Sequence, residues 1–422
     1  MKVMILSVSA GGGHEHAAEA IRRHIMSKNQ NSEIIIIDTL KYINPIIDKV
    51  VIGSYLKSLK VSPALYGKLY NHSKADEGIA TAISSIFNEA MTFKLLPLIN
   101  KLRPDILICT HPFPTEMVSI LKGKNKLNIP CVSVITDYYC HYLCLHPDID
   151  SYVVSNCDMI DDMISKGINK DAIYNLGIPV IPEFLINYDR SKTLKELNLR
   201  EHVTTILVMG GSLGMGKIKT IYKELIKVKE DIQIIVITGN NKKLYSELQI
   251  IKESSPKETR IIGFTNKVNM FMQSCDLLLT KPGGLTIAES LICGIPLVLF
   301  SPIPGQEEKN AEFLTKHNLA VNISDIDKCS SIIEDLLSDK SRLDDMKSNC
   351  RHYSKPNSGE DIYNLICSLV HKKQNKEINT QNVNFEKINS QKVKMKNFYK
   401  NIEKHFIKTA KNFYYYIEYK LS

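Results

Sequence analysis

The chain has 422 residues, 44% of them apolar and 23% charged, with no tryptophan. That length is comfortable for two domains, and so large an apolar share excludes global disorder. The net charge of +9 is concentrated at one end: from residue 371 onward twelve lysines stand against four glutamates, so the rest of the chain is nearly neutral. The basicity belongs to a tail and points to an anionic partner, either membrane or nucleic acid. No basic stretch leading into a greasy segment opens the sequence, and no run of about 18 apolar residues occurs, so neither a signal peptide nor a spanning helix is expected. The ten cysteines are scattered and read as reduced cytosolic thiols.

Residues 3–8 form a short apolar strand that ends in Ala10-Gly11-Gly12-Gly13. A helix follows, with Ala17, Ala18, Ile21 and Ile25 on one side. Within residues 42–70, Val50, Val51, Tyr55, Leu59 and Tyr66 alternate with Lys49, Lys57, Lys60 and Lys68; this is either a membrane contact or a helix packed on the body. Buried-type strands are expected at 34–37, 106–109 and 132–135, with shorter ones at 152–154 and 173–176. The pattern restarts at 206–209, which ends in Gly210-Gly211-Ser212-Leu213-Gly214-Met215-Gly216. Strands at 234–237, 260–262, 277–279 and 297–300 come next.

Continuous apolar strands alternating with helices imply parallel sheets covered on both faces. The expected fold is α/β: two facing Rossmann-like domains, 1–178 and 200–352, with a linker across 179–202 and a central cleft. Ligands in such domains lie beyond the carboxyl ends of the strands. A helix within 353–371 is expected to cross back to the first domain, and residues 372–395, rich in Lys, Asn and Gln, read as a solvated linker. Beyond it Phe398, Ile402, Phe406, Phe413, Ile417 and Leu421 recur at mostly four-residue spacing among lysines, a basic amphipathic helix suited to an anionic membrane surface.

Glycine-rich loops let backbone N–H groups approach an anion, and the helix behind adds its positive end. Neither loop here fits G-x-G-x-x-G, and neither is followed by Lys-Ser or Lys-Thr, which excludes P-loop chemistry. Asp38 could hold a ribose in a dinucleotide fold, but reads better as a strand-end turn residue. Cys140, His141, Cys144 and His146 are metal-ligand types without paired zinc spacing, so a strand-end loop is preferred. The Asp148-Ile149-Asp150 and Asp325-Ile326-Asp327 triplets are taken as chance matches to a metal motif, and no metal is expected on the protein.

The densest constellation runs from 262 to 311: Gly263-Phe264, Lys281-Pro282-Gly283-Gly284-Leu285, Glu289, and Pro304-Gly305-Gln306-Glu307. It reads as a strand, a Gly turn, a helix start carrying a carboxylate, then another strand and a polar loop. Amides at the helix start suit a pyrophosphate, and a carboxylate five residues past Gly284 can accept two ribose hydroxyls.

With Gly11-Gly12-Gly13-His14, Thr136-Asp137 followed by His141 and His146-Pro147, Gly177-Ile178-Pro179-Val180 and Gly210-Gly211-Ser212, this segment resembles the GT-B glycosyltransferases. Within them it is similar to the monogalactosyldiacylglycerol synthase and processive diacylglycerol glucosyltransferase family, over residues 1 to about 370. The resemblance implies an inverting transfer of glucose or galactose from a UDP-sugar to diacylglycerol or a related glycolipid. It assigns Gly211, Ser212, Gly283, Gly284 and Leu285 to the donor diphosphate, the Phe264 backbone to uracil, Glu289 to ribose, and Gln306 and Glu307 to the sugar hydroxyls. His14, in the loop with Gly12 and Gly13, faces the acceptor across the cleft as the base, with Asp137 as second candidate or orienting group. The setting implied is cytoplasmic and peripheral, on the inner face of the cell membrane, with no nucleic acid as partner. Rival readings are a peptidoglycan lipid-intermediate N-acetylglucosaminyltransferase, a UDP-sugar epimerase and a non-catalytic basic binding protein.

Overall fold

The computed structural model describes residues 1–9, 12–45 and 79–380. The expected basic amphipathic helix after 394 and nearly all of the 42–70 segment lie outside the described residues. The chain divides into two compact units. One comprises Met1–Thr136, Cys140–Leu176 and the chain from Gly359; the other comprises Asp137–Tyr139 and Gly177–Ser358.

The first unit is built on a six-stranded sheet in the order β2-β1-β3-β4-β5-β6. Its strands are β1 (Lys2–Ser7), β2 (Glu33–Asp38), β3 (Ile106–Cys109), β4 (Cys131–Val134), β5 (Ser151–Val153) and β6 (Ile173–Tyr174). All pair in parallel. Successive strand side chains point to opposite faces, so a strand that is apolar throughout needs cover on both. Met4, Leu6, Leu107 and Cys109 share one core with Met117, Val118 and Leu121 of the helix Pro112–Gly123. Val3, Ile5, Ile106 and Ile108 share the other with Ala18, Ile21 and Ile25 of the helix Gly13–Lys28.

The helix Ser358–Thr380 completes that second layer through Ile362, Leu365, Ile366 and Val370. Each such side chain, fully buried, contributes about 1.5–3 kcal/mol. Close approach explains a glycine here: a Cβ on Gly359 would lie 2.2 Å from the His24 ring. This helix continues to Thr380, past the boundary at 371 that composition suggested. The segment beyond 371 is polar but holds good helix formers and no Gly or Pro, so a helix anchored by Ile362 and Ile366 runs on.

The second unit holds the sheet β12-β11-β10-β7-β8-β9. Its strands are β7 (Thr204–Met209), β8 (Ile232–Ile237), β9 (Thr259–Ile262), β10 (Leu277–Thr280), β11 (Leu297–Phe300) and β12 (Ala320–Ile323). These too pair in parallel. β12 was not foreseen, since its four residues include a polar Asn322 and are too short to show a period. Residues 179–202, read as a linker, are part of this unit. Val180, Phe184, Leu194 and Leu199 are buried in its core, and Arg190 donates to the Ser274 carbonyl and the Asp276 carboxylate. Two short helical segments, Pro182–Leu185 and Arg190–Glu196, lie in this stretch, with Leu185, Lys192 and Lys195 on their exposed sides.

Each sheet has one point where the strand order reverses. In the first, β1 is flanked by β2 and β3; in the second, β7 is flanked by β8 and β10. Connections leaving the two strands at such a point diverge to opposite faces and leave a crevice at their carboxyl ends, where ligands bind.

Candidate functional site

In the first unit the crevice lies after β1 and β3. Gly12, at φ 88°, caps the helix Gly13–Lys28 and puts His14 on its first turn, while Gly11 lies outside the described residues. His14 is partly buried. Its Nδ1 is 2.7 Å from the Thr110 carbonyl oxygen and 3.0 Å from the Thr136 hydroxyl. A carbonyl only accepts, so Nδ1 carries the proton and Nε2 keeps its lone pair. Burial holds the His14 pKa below its usual value, against the upward pull of the Thr110 carbonyl.

The ring of His111, which follows β3 by one residue past Thr110, meets His14 edge-on at 4.5 Å between centroids. Its Nδ1 accepts from Phe113 N at 3.1 Å and caps the helix Pro112–Gly123. Burial, with the nearby His14, holds its pKa well below the usual value. Sequence reading passed over His111, although a polar Thr-His-Pro run at a strand's carboxyl end was a signal for it.

In the second unit the crevice lies after β7 and β10. The loop Gly210–Gly216 folds on itself, with Gly214 N donating to Gly211 O at 3.0 Å and Met215 N to Gly210 O at 2.9 Å. Ser212 O accepts from Asn240 N at 2.9 Å. Gly214 is demanded twice: its φ is +56°, and a Cβ there would lie 2.2 Å from the Thr238 carbonyl oxygen. Gly283, by contrast, has an ordinary φ of −74° and open space where a Cβ would go. Neither conformation nor packing requires glycine there; at a helix N-cap it leaves the space beside the first amides open. Gly283 caps the helix Gly284–Cys293 with no side-chain hydrogen bond, so the first amides, from Gly284 and Leu285, are open to a partner. Phe264 lies just past β9 and is 67% exposed.

Glu289 stands on the second turn of that helix. It is partly buried, and the described residues give it no hydrogen bond or ion pair. Burial alone pushes its carboxyl up to about 8. A desolvated carboxyl without donors stays protonated up to about that pH, and a ligand that brought hydroxyl donors would favour its charged form.

The helix Gln306–Lys316 presents the remaining group. Gln306 Nε2 donates to Asp137 Oδ2, and Asn310 Nδ2 donates to Asp137 Oδ1 at 2.9 Å. Asn310, fully buried, also donates to Pro282 O at 3.0 Å and accepts from Tyr138 N at 2.8 Å. Burial raises the Asp137 pKa, and its two amide partners act against that. Asp137 thus packs with the second unit, where Asn310 ties it to the Lys281-Pro282-Gly283 loop. Sequence reading had placed Asp137 within the first domain. Glu307 pairs with Lys281 at 3.0 Å and accepts from Ile303 N at 2.6 Å.

Other motifs have local structural work. Asp38 accepts from Ser9 Oγ at 2.5 Å and Lys41 N at 3.2 Å, capping a short helix. Asp150 accepts from Cys131 N and Lys122, at the amino end of β4. Asp325 caps the turn Ile326–Lys328. The His141 ring accepts from Leu143 N, and the His146 ring bonds Leu143 O. Among the described residues no group of three or more His, Cys, Asp or Glu is placed to hold a metal ion, and no helix is long and apolar enough to cross a membrane.

Residues 14–180 match the family model described as monogalactosyldiacylglycerol (MGDG) synthase. Residues 205–366 match the glycosyltransferase family 28 C-terminal domain. The chain is 28% identical over 369 residues to a processive diacylglycerol beta-glucosyltransferase of Bacillus pumilus, covering 86% of this chain and 93% of that one. Among solved structures it is similar to Acinetobacter baumannii MurG, with TM-score 0.58 and 14% identity over 87% of this chain and 99% of that one. It is also similar to the S. aureus MnaA–UDP co-structure, with TM-score 0.58 and 14% identity over 91% and 100%.

The two sheets, their switch points and these structural neighbours show the GT-B fold, and the match to the glycosyltransferase family 28 C-terminal domain makes the chain a glycosyltransferase. The chain belongs to the family of monogalactosyldiacylglycerol synthases and processive diacylglycerol glucosyltransferases.

Proposed function

We propose that the protein transfers glucose or galactose from a UDP-sugar to diacylglycerol or a related glycolipid, with inversion at the anomeric carbon. The observation that carries the reading is Glu289, a partly buried carboxyl pushed up to about 8 by burial, without a donor from the described residues. It stands on the helix whose open N-terminus follows Gly283. A nucleoside diphosphate supplies what both lack: ribose hydroxyls for the carboxylate and phosphate oxygens for the amides.

The second unit holds the donor. Gly211, Ser212, Gly283, Gly284 and Leu285 meet the diphosphate, the Phe264 backbone meets uracil, and Gln306 and Glu307 bind the sugar hydroxyls. The first unit takes the acceptor. His14 Nε2 removes the hydroxyl proton as oxygen attacks the anomeric carbon, because Nδ1 is already committed to Thr110. Asp137 orients Gln306 and Asn310; with both oxygens bonded to side-chain amides, it is a positioning group and not the base. No metal is required, and the protein works at the cytoplasmic face of the membrane, with the basic tail as its anchor.

The test is incubation with radiolabelled UDP-glucose, UDP-galactose and UDP-N-acetylglucosamine over diacylglycerol-containing vesicles, followed by lipid chromatography. Label from a hexose donor in a diacylglycerol glycolipid is expected. Transfer only of N-acetylglucosamine, interconversion of UDP-sugars without lipid label, or no turnover of any donor would each overturn the reading.

A further inference from the structure

We infer that Lys281 is the cation that meets the donor's diphosphate as it leaves, and that Glu307 holds this lysine ready until the donor arrives; the inference rests on the UDP-sugar reading above. Lys281 directly follows β10 at the switch point of the second sheet. Its stem passes close to the glycine-rich loop after β7, since a Cβ on Gly216 would lie 3.5 Å from its Cδ. It is therefore placed between two loops that offer backbone amides, Gly210–Gly216 and Gly283–Leu285.

The pair is mostly buried, with side-chain exposures of 12% for Lys281 and 14% for Glu307. Glu307 is fixed from both sides: Oε1 takes Lys281 Nζ at 3.0 Å and Oε2 takes Ile303 N at 2.6 Å. Burial still pushes the Glu307 carboxyl up, against the pull of Lys281, so desolvation outweighs the attraction on the carboxylate side. Buried pairs of this kind are poor sources of stability, because removing both charges from water offsets what they gain from each other. A role toward a ligand explains the pair better. An ammonium has three donors on a flexible stem, so Lys281 can keep one on Glu307 and turn two toward phosphate oxygens.

The reaction needs such a charge. As the acceptor oxygen bonds the anomeric carbon, its proton passes to His14, and the bond from that carbon to the β-phosphate oxygen breaks with the electron pair staying on oxygen. The departing diphosphate gains one negative charge. Amides carry dipoles but no net charge, whereas a preorganised ammonium in a low-dielectric crevice acts most strongly where charge develops.

The experiment is calorimetry on the full chain with UDP and, separately, with uridine, using Lys281→Met and Glu307→Gln. Lys281→Met is expected to weaken UDP by about tenfold or more, the size of a charged hydrogen bond, while uridine binding stays level. Glu307→Gln is expected to keep or strengthen UDP binding, because it releases the lysine and UDP has no sugar for Glu307 to touch. If Lys281→Met does not fold, the double variant Lys281→Met with Glu307→Gln leaves no unpaired charge and gives the same comparison. Equal losses for UDP and uridine, or equal losses in the two single variants, would make the pair purely structural and overturn the inference. A native protein that binds no UDP at all would instead overturn the functional reading on which it rests.

Discussion

Nδ1 of His14 lies 2.7 Å from the carbonyl oxygen of Thr110, and this contact decides which nitrogen can act. With the proton fixed on Nδ1, Nε2 is a lone-pair base in the crevice after β1 and β3. His14→Ala is expected to lower turnover by about 10²–10⁴-fold, the usual worth of a general base. UDP affinity should stay near native, because the residues proposed to hold the donor belong to the other unit. Steady-state kinetics paired with calorimetry check both; near-normal turnover would remove His14 as base.

The acid limb of the turnover–pH profile should follow the same residue. Burial lowers the His14 pKa, so the ring stays neutral and basic at a pH where an ordinary histidine is already charged. The limb is expected below 6.5, the usual histidine value. His111→Ala opens space beside the ring and is expected to move the limb up toward that value.

Glu289 ties donor binding to pH. Its carboxyl, pushed up to about 8, must lose a proton to accept two ribose hydroxyls as a full carboxylate. UDP affinity should therefore rise as pH goes from 6 to 8, and Glu289→Gln should be weaker and keep only the part of the rise that comes from ionisation of the UDP phosphate, whose second pKa is about 6. Stability runs the other way. In the unfolded chain the carboxyl is charged from its usual value near 4.5, while in the folded state it stays protonated until about 8. The folded state binds more protons in that window, so Glu289 lowers stability as pH rises through it. Glu289→Gln should match the native chain in melting temperature at pH 4 and exceed it at pH 9. A variant that binds UDP as well as native protein at pH 8 would sink the ribose assignment.

Asn310 joins the Asp137 segment to the Pro282 loop. Asn310→Leu removes one hydrogen bond each from Tyr138 N, Asp137 Oδ1 and Pro282 O, and a buried polar group that loses its bond costs about 1–3 kcal/mol. Urea denaturation should show a loss within or above that range. A change under about 0.5 kcal/mol, typical of an exposed surface site, would contradict the network.

The tail after Thr380 is expected to hold the protein on anionic vesicles, since each lysine near such a surface contributes about 1 kcal/mol. Co-sedimentation of the full chain and of a version ending at Thr380, which keeps the whole helix Ser358–Thr380, measures this. Equal binding by both would remove the tail as anchor.

Much of this molecule was legible because its central strands are largely apolar and because β1 and β7 lead into glycine-rich loops. Ile106–Cys109 and Leu297–Phe300 fall where expected, and the helix carrying Ala17, Ala18, Ile21 and Ile25 buries all four. The loops of both crevices follow from the same logic. Long-range polar contacts were not legible: nothing in the sequence says that Asp137 turns toward Gln306 and Asn310, or that Glu307 is taken by Lys281. The segment 179–202 misled because its buried residues, Val180, Phe184, Leu194 and Leu199, are too widely spaced to show a period.

The most direct test of the central claim follows one reaction mixture by nuclear magnetic resonance: native protein, diacylglycerol vesicles and the hexose donor it uses. The expected result is UDP and a new glycolipid in equal amounts, with the sugar β-linked where the donor's was α-linked. An α-linked lipid, or a second UDP-sugar appearing without free UDP, would contradict the account.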